Sequence, residues 1–224
     1  MHKTHNYIIA DCETGGLSHL KNPITQIALQ TVNGSDFSEI SRFDTFVIPY
    51  GGLTLEDQAM KFTGITHVML QRGMEAKDVV KSLTEEFQKA NTGGYTKKPI
   101  LVGHNIQFDI GFITSIFRHC KTDLSKLLAG TTDAHGNFYP AFIDTMWLSR
   151  MKYGYDESMT KFNLGACCEK RGVDLTDAHS AQNDVTATRE LFIALTMDMR
   201  NGGNGSQGEL LKESRTRDTF KFAF

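Results

Sequence analysis

Long apolar runs, blocks of like charge, paired cysteine motifs and internal repeats are all missing from these 224 residues, and each absence narrows the function. No stretch approaches the roughly 18 consecutive apolar residues of a transmembrane helix, so no membrane span is expected. Met1-His2-Lys3-Thr4-His5-Asn6 leads into an apolar run of only four residues, Tyr7 to Ala10, too short for the core of a signal peptide. Cys12, Cys120, Cys167 and Cys168 form neither a C-x-x-C pair nor a secreted framework, and the adjacent Cys167 and Cys168 read as core thiols. A cytoplasmic, reducing setting is therefore expected. Net charge is -2, without a basic run that would advertise wrapping of duplex DNA.

What is present is a set of acids in unusual places. Tyr7-Ile8-Ile9-Ala10-Asp11-Cys12-Glu13 reads as a short strand, and because side chains alternate, Tyr7, Ile9, Asp11 and Glu13 share one face. The two acids stand about 6.6 Å apart along the strand at roughly 3.3 Å per residue, within reach of one ion. Thr14-Gly15-Gly16 is turn material, so a polar strand end is the plainer reading of the same residues. Ile100-Leu101-Val102 reads as a second buried strand, broken by Gly103-His104-Asn105 before a helical stripe of Phe108, Phe112, Ile113, Ile116 and Phe117. Asp109 lies on that stripe and is expected to face the core. A first-turn acid is also a common cap or dipole partner, although Asn105 already offers a cap.

A third segment repeats the pattern. Ala181, Val185, Leu191, Phe192 and Leu195 follow helical spacing, and Asp184 falls on the same stripe beside Thr188. His179, five residues before Asp184, stands at the helix entrance, where a histidine is ordinarily a surface residue. Four inward acids cost several kcal/mol or more unless compensated. Hard divalent cations offer the simplest compensation, and that points to two-metal phosphoryl chemistry.

The segments Ile9-Ala10-Asp11-Cys12-Glu13-Thr14-Gly15-Gly16-Leu17, Gly103-His104-Asn105-Ile106-Gln107-Phe108-Asp109 and Ala178-His179-Ser180-Ala181-Gln182-Asn183-Asp184 resemble the three motifs of the DEDDh (DnaQ-like) 3′-5′ exonucleases. That family includes the proofreading epsilon subunit of bacterial DNA polymerase III and ribonuclease T. Phe43 to Pro49, Thr63 to Thr66, Ile143 to Thr145 and Leu164 to Val173 are similar to further family segments, and the resemblance spans roughly residues 6 to 197. Histidine five positions before Asp184, with Ser180 rather than tyrosine four before it, selects the histidine branch. Gly15 stands where many relatives carry a second threonine. Asp144, an acid after a short strand, is read as a helix cap.

The resemblance implies an activity: metal-dependent 3′-5′ hydrolysis of single-stranded DNA, releasing nucleoside 5′-monophosphates. Asp11, Glu13 and Asp184 would hold one Mg²⁺ or Mn²⁺, a second ion would bridge Asp11 and the scissile phosphate, and Asp109 would act through the water shell. Neutral His179 would serve as the base, so activity should rise from acidic toward mildly alkaline pH. Thr14 and Gly15 would cradle the terminal nucleotide, Leu17 would wedge between the last two bases or simply pack the turn, and His104 and Asn105 would lie against the substrate or orient the loop beneath it. The same chemistry on RNA, and a non-catalytic nucleic-acid-binding scaffold, are the alternative readings; some relatives are homodimers.

The expected fold is α/β: a ribonuclease H-like, three-layer arrangement with a five-stranded mixed sheet. Strands are expected near 6–12, 24–33, 39–48, 99–103 and 141–143, and helices near 75–90, 107–119, 144–152, 161–170 and 181–199. Residues 120–142 read as a hairpin insertion near the cleft or a satellite apolar cluster. An exonuclease domain over 1–200 would be followed by a Gly/Asn-rich linker at 201–208 and a tail at 209–224. Alternating Phe220, Phe222 and Phe224 suggest a docking strand or a segment tethering a DNA polymerase subunit.

Overall fold

A computed structural model describes residues 5–93, 97–175 and 180–202. Strands β1 (Tyr7–Thr14), β2 (Ile24–Val32) and β3 (Glu39–Phe46) come first, then helices α1 (Asp57–Thr63), α2 (His67–Gln71) and α3 (Ala76–Ala90). Next are β4 (Ile100–Gly103), α4 (Gln107–His119), the short strands β5 (Gly130–Thr132) and β6 (Phe138–Pro140), and β7 (Phe142–Asp144). Helices α5 (Thr145–Tyr153), α6 (Leu164–Arg171) and α7 (Ala181–Gly202) finish the described fold. The main sheet runs in the order β3-β2-β1-β4-β7; β1, β4 and β7 are parallel, and β2 is antiparallel to both β1 and β3. This is the five-stranded mixed sheet expected of a ribonuclease H-like fold.

Alternation along β1 decides which layer each residue meets. Ile8, Ala10 and Cys12 join Val79, Leu83 and Phe87 of α3 and Phe112, Ile113 and Ile116 of α4 in the larger core. Ile9 faces the other way and packs with Ala28, Val102 and the Ala181, Val185 and Phe192 stripe of α7. Asp11 and Glu13, in phase with Ile9, therefore look toward α7. A second stripe of α7, Ala187, Leu191 and Leu195, packs on Cys167 and Cys168 of α6, the core thiols expected. Asp198 fastens this side by ion pairs to Lys152 of α5 and Arg171 of α6.

Several expected boundaries shift. Helix α7 continues through Gly202, two residues into the stretch read as linker. Helix α6 starts at Leu164 rather than 161, because the Asn163 side chain caps it by accepting from Ala166 N–H. The hairpin expected within 120–142 is present as β5 and β6, but Phe138 packs on the main core rather than on a satellite cluster, while Tyr139 is exposed. Residues 203–224, and with them the proposed tail, lie outside the described residues. No helix among the described residues is long and apolar enough to cross a membrane.

Candidate active site

The end of β1, the start of α4 and the start of α7 meet at the edge of the sheet where the parallel strands finish. Asp11 and Glu13 arrive there because β1 extends beyond its last pairing with β4, Ile9 with Val102. Asp184 arrives from the first turn of α7, where its N–H and that of Asn183 both bond to the Ser180 carbonyl. Carboxylate oxygens of Asp11, Glu13 and Asp184, one from each, lie within 4.8 Å of one another. Asp109 stands just outside this trio: its Oδ1 accepts the N–H of Cys12 at 2.9 Å, gripping the peptide between Asp11 and Glu13.

Of the four acids expected to face inward, Asp109 and Glu13 are buried, while Asp11 and Asp184 are half-buried. Burial, and then the charges of Asp109, Asp184 and Glu13, hold the Asp11 carboxyl well above the usual range. Burial followed by the Asp184 charge raises Glu13 to about 7. Asp109 is raised to about 8, because burial outweighs the hydrogen bonds from Cys12 and from its own backbone. Acids this close and this desolvated favour a proton or a cation among them. An all-oxygen donor set of three carboxylates suits a hard divalent ion such as Mg²⁺ or Mn²⁺ and disfavours soft-metal chemistry.

The turn after β1 is built for rigidity. Thr14 donates its hydroxyl to the Gly16 carbonyl, and Gly15 donates to Pro23 O while its own carbonyl accepts Glu56 N–H. Asn22, 1% exposed, accepts from Ser18 N–H and donates to Thr54 O and Glu56 Oε1. A Cβ on Gly16 would lie 2.5 Å from the Asn22 amide, so only glycine lets the turn close. Within this fixed turn Leu17 is 86% exposed, and turn packing does not account for it.

His104 and Asn105 stand between β4 and α4. His104 Nε2 bonds to Phe162 O and Nδ1 to Thr145 Oγ1, and burial lowers its pKa. Both ring nitrogens are thus committed to the protein. Asn105 does not cap α4 as expected: it takes φ 61°, and its N–H donates to Asp144 Oδ1, leaving its side chain exposed. Asp144 is the helix cap that the sequence suggested, accepting from Met146 N–H at the start of α5.

Two buried polar residues were missed. Asn22 falls between the Thr14-Gly15-Gly16 turn and the strand expected from residue 24, where no periodic pattern marks it. Gln26 pairs across from Glu13 on the same face of the sheet and is 6% exposed; the alternation of Gln26, Ala28 and Gln30 with Ile27 and Leu29 in β2 was the available signal. His179 lies outside the described residues.

A family model described as exonuclease, RNase T, matches residues 8–192. The chain is 30% identical over 224 residues to a DNA polymerase III PolC-type of Staphylococcus aureus (strain bovine RF122 / ET3-1), covering 99% of this chain and 13% of that one. It is 29% identical over 204 residues to the PolC-type polymerase of Bacillus subtilis (strain 168), covering 91% of this chain and 12% of the relative. The chain thus spans about an eighth of the length of these relatives. Among solved structures, E. coli exonuclease I in complex with a dT13 oligonucleotide superposes with a TM-score of 0.68 at 20% identity, covering 89% of this chain and 42% of that one. A zinc-bound exonuclease I–ssDNA complex gives 0.68 at 21% identity, over 94% and 42% of the respective chains.

Proposed function

The chain belongs to the RNase T exonuclease family, and from that membership we propose that it is a metal-dependent 3′-5′ exonuclease acting on single-stranded DNA and releasing nucleoside 5′-monophosphates. The observation that carries the proposal is the Asp11, Glu13 and Asp184 trio, with carboxylate oxygens within 4.8 Å of one another. These three would hold one Mg²⁺ or Mn²⁺, and Asp11 would share a second. Divalent ions bound there supply charge stabilisation at the scissile phosphate and at the departing 3′-oxygen.

The chain's own residues would divide the remaining work. Asp109 fixes the β1 peptide between the two acids and would act on a bound ion through its water shell. His179 in its neutral form would accept a proton of the attacking water as its oxygen bonds to phosphorus and the P–O3′ bond breaks, the departing 3′-oxyanion taking a proton from solvent to become the hydroxyl. The Thr14-Gly15 turn would cradle the terminal nucleotide, with Leu17 projecting between the last two bases and Asn105 on the opposite side. His104 would support Asn105 rather than touch substrate, since both of its ring nitrogens are engaged. Residues 209–224 would tether the domain to a polymerase, a role suggested by the PolC-type relatives.

The test is digestion of 3′- and 5′-labelled single-stranded DNA, duplex DNA and RNA with Mg²⁺ or Mn²⁺, run beside Asp184→Asn. Stepwise loss of the 3′ label from single-stranded DNA by the wild type alone is expected. Equal inactivity of the two proteins would favour a scaffold, and faster loss from RNA would reassign the substrate.

A further inference from the structure

Helix α5 turns Thr145, Ser149 and Tyr153 into the fold and leaves Trp147 and Met151 outside, 55% and 81% exposed. Three and four residues apart along a helix, Trp147, Arg150 and Met151 form one surface. The Arg150 guanidinium carbon lies 5.1 Å from the Trp147 ring centre and 5.4 Å from that of Phe162, so the cation sits against two aromatic rings. Among the described residues no carboxylate pairs with Arg150. Exposed Trp147 and Met151 beside the exposed Arg150 guanidinium make a mixed apolar and cationic patch open to a ligand.

Hydrogen bonds tie this part of the molecule to the loop beside the candidate active site. Asp144, which caps α5, also takes the Asn105 N–H, and the Phe162 carbonyl takes the His104 ring. Both ties end on the loop that leads into α4 and Asp109. Because β4 and β7 are parallel, α4 and α5 start from the same edge of the sheet.

We infer that Trp147, Arg150, Met151 and Phe162 bind single-stranded DNA upstream of the 3′ end, with a base stacked on Trp147 and a phosphate on Arg150. Aromatic faces interleaved with basic groups are how proteins hold single strands without reading sequence. A phosphate also supplies the anion that Arg150 lacks, which a purely apolar protein partner would not. The direction of the strand rests on the exonuclease reading; the binding does not.

Trp147 is the single tryptophan of the chain, so its emission reports directly on this surface. An Asp184→Asn chain, which should not digest its ligand, is titrated with a thymidylate dodecamer and with a dinucleotide. Saturable quenching by the dodecamer alone is expected. In the otherwise wild-type chain, Trp147→Ala should raise KM for the dodecamer about 5- to 160-fold, the range for one lost stacked base. Hydrolysis of thymidine 5′-p-nitrophenyl phosphate should be unchanged, and Trp147→Phe should recover most of the KM. Absence of quenching together with an unchanged KM would overturn the inference, as would tighter binding of a uridylate dodecamer. Length-dependent quenching of Asp184→Asn, together with no digestion of the dodecamer by the wild-type chain, would uphold this surface and sink the exonuclease reading.

Discussion

Asp109 Oδ1 and Cys12 N–H, 97 positions apart in sequence, form a buried hydrogen bond of 2.9 Å. It joins the first turn of α4 to the last stretch of β1, at the peptide flanked by Asp11 and Glu13. One acid thereby sets the backbone that presents two others.

Substitutions at Asp109 should separate its two contributions. Asp109→Asn keeps an acceptor for Cys12 and removes a buried titratable acid, so thermal stability should hold or rise while activity falls about 10- to 100-fold, as for partners behind metal ligands. Asp109→Ala leaves the Cys12 N–H unpaired and should also cost about 1–3 kcal/mol of stability. Thermal unfolding and oligonucleotide digestion, run on both variants, check the pair of outcomes.

The raised carboxyls make the metal-free protein pH-sensitive. Glu13 moves from 4.5 to about 7 and Asp109 from 3.8 to about 8 on folding, so between those limits the folded chain binds more protons than the unfolded one. Their contribution is complete below the unfolded values and is lost as pH rises through the folded ones. In EDTA, Tm should therefore fall between about pH 5 and pH 8. Added Mg²⁺ should reverse the fall, with a larger gain in Tm at pH 8 than at pH 6. A calorimetric series with and without the metal reads this, and a Tm in EDTA that rises over that window would contradict it.

Asn22 should matter to substrate grip although it lies away from the acids. Its amide ties the β1 turn to Thr54 and Glu56, so Asn22→Ala frees the segment that carries Leu17. Stability should drop by about 1 kcal/mol, since the Ser18 N–H and the Gly15 and Thr54 carbonyls lose their side-chain partner. KM for single-stranded DNA should rise more than kcat falls, which steady-state kinetics would show.

Much of this site is legible in the sequence because periodicity assigns faces. The period of two in β1 puts Asp11 and Glu13 with Ile9, and the helical period in α7 puts Asp184 with Ala181 and Val185; the structure places both sets on the same side of the sheet. The Asp144 cap was legible for the same local reason, an acid directly before a helix. What was not legible depends on distant partners. Asn105 looks like a cap, but its left-handed backbone is fixed by Asp144, 39 residues away. Asn22 acquires its role only when residues 54–56 pack against the turn, and helices α1 and α2, each of seven residues or fewer, lack the length for periodicity to register. The Arg150 surface on α5 was passed over because a single helix face does not reveal that Phe162 will close over it.

The most direct test of the account is a calorimetric titration of Mn²⁺ into the chain and into Asp184→Asn and Asp144→Asn variants at pH 8. The wild type and Asp144→Asn should bind with similar affinity, because Asp144 serves α5 and the Asn105 peptide. Asp184→Asn should bind more than about tenfold more weakly, since one charged oxygen ligand of three is gone. Equal affinity across all three would contradict the account.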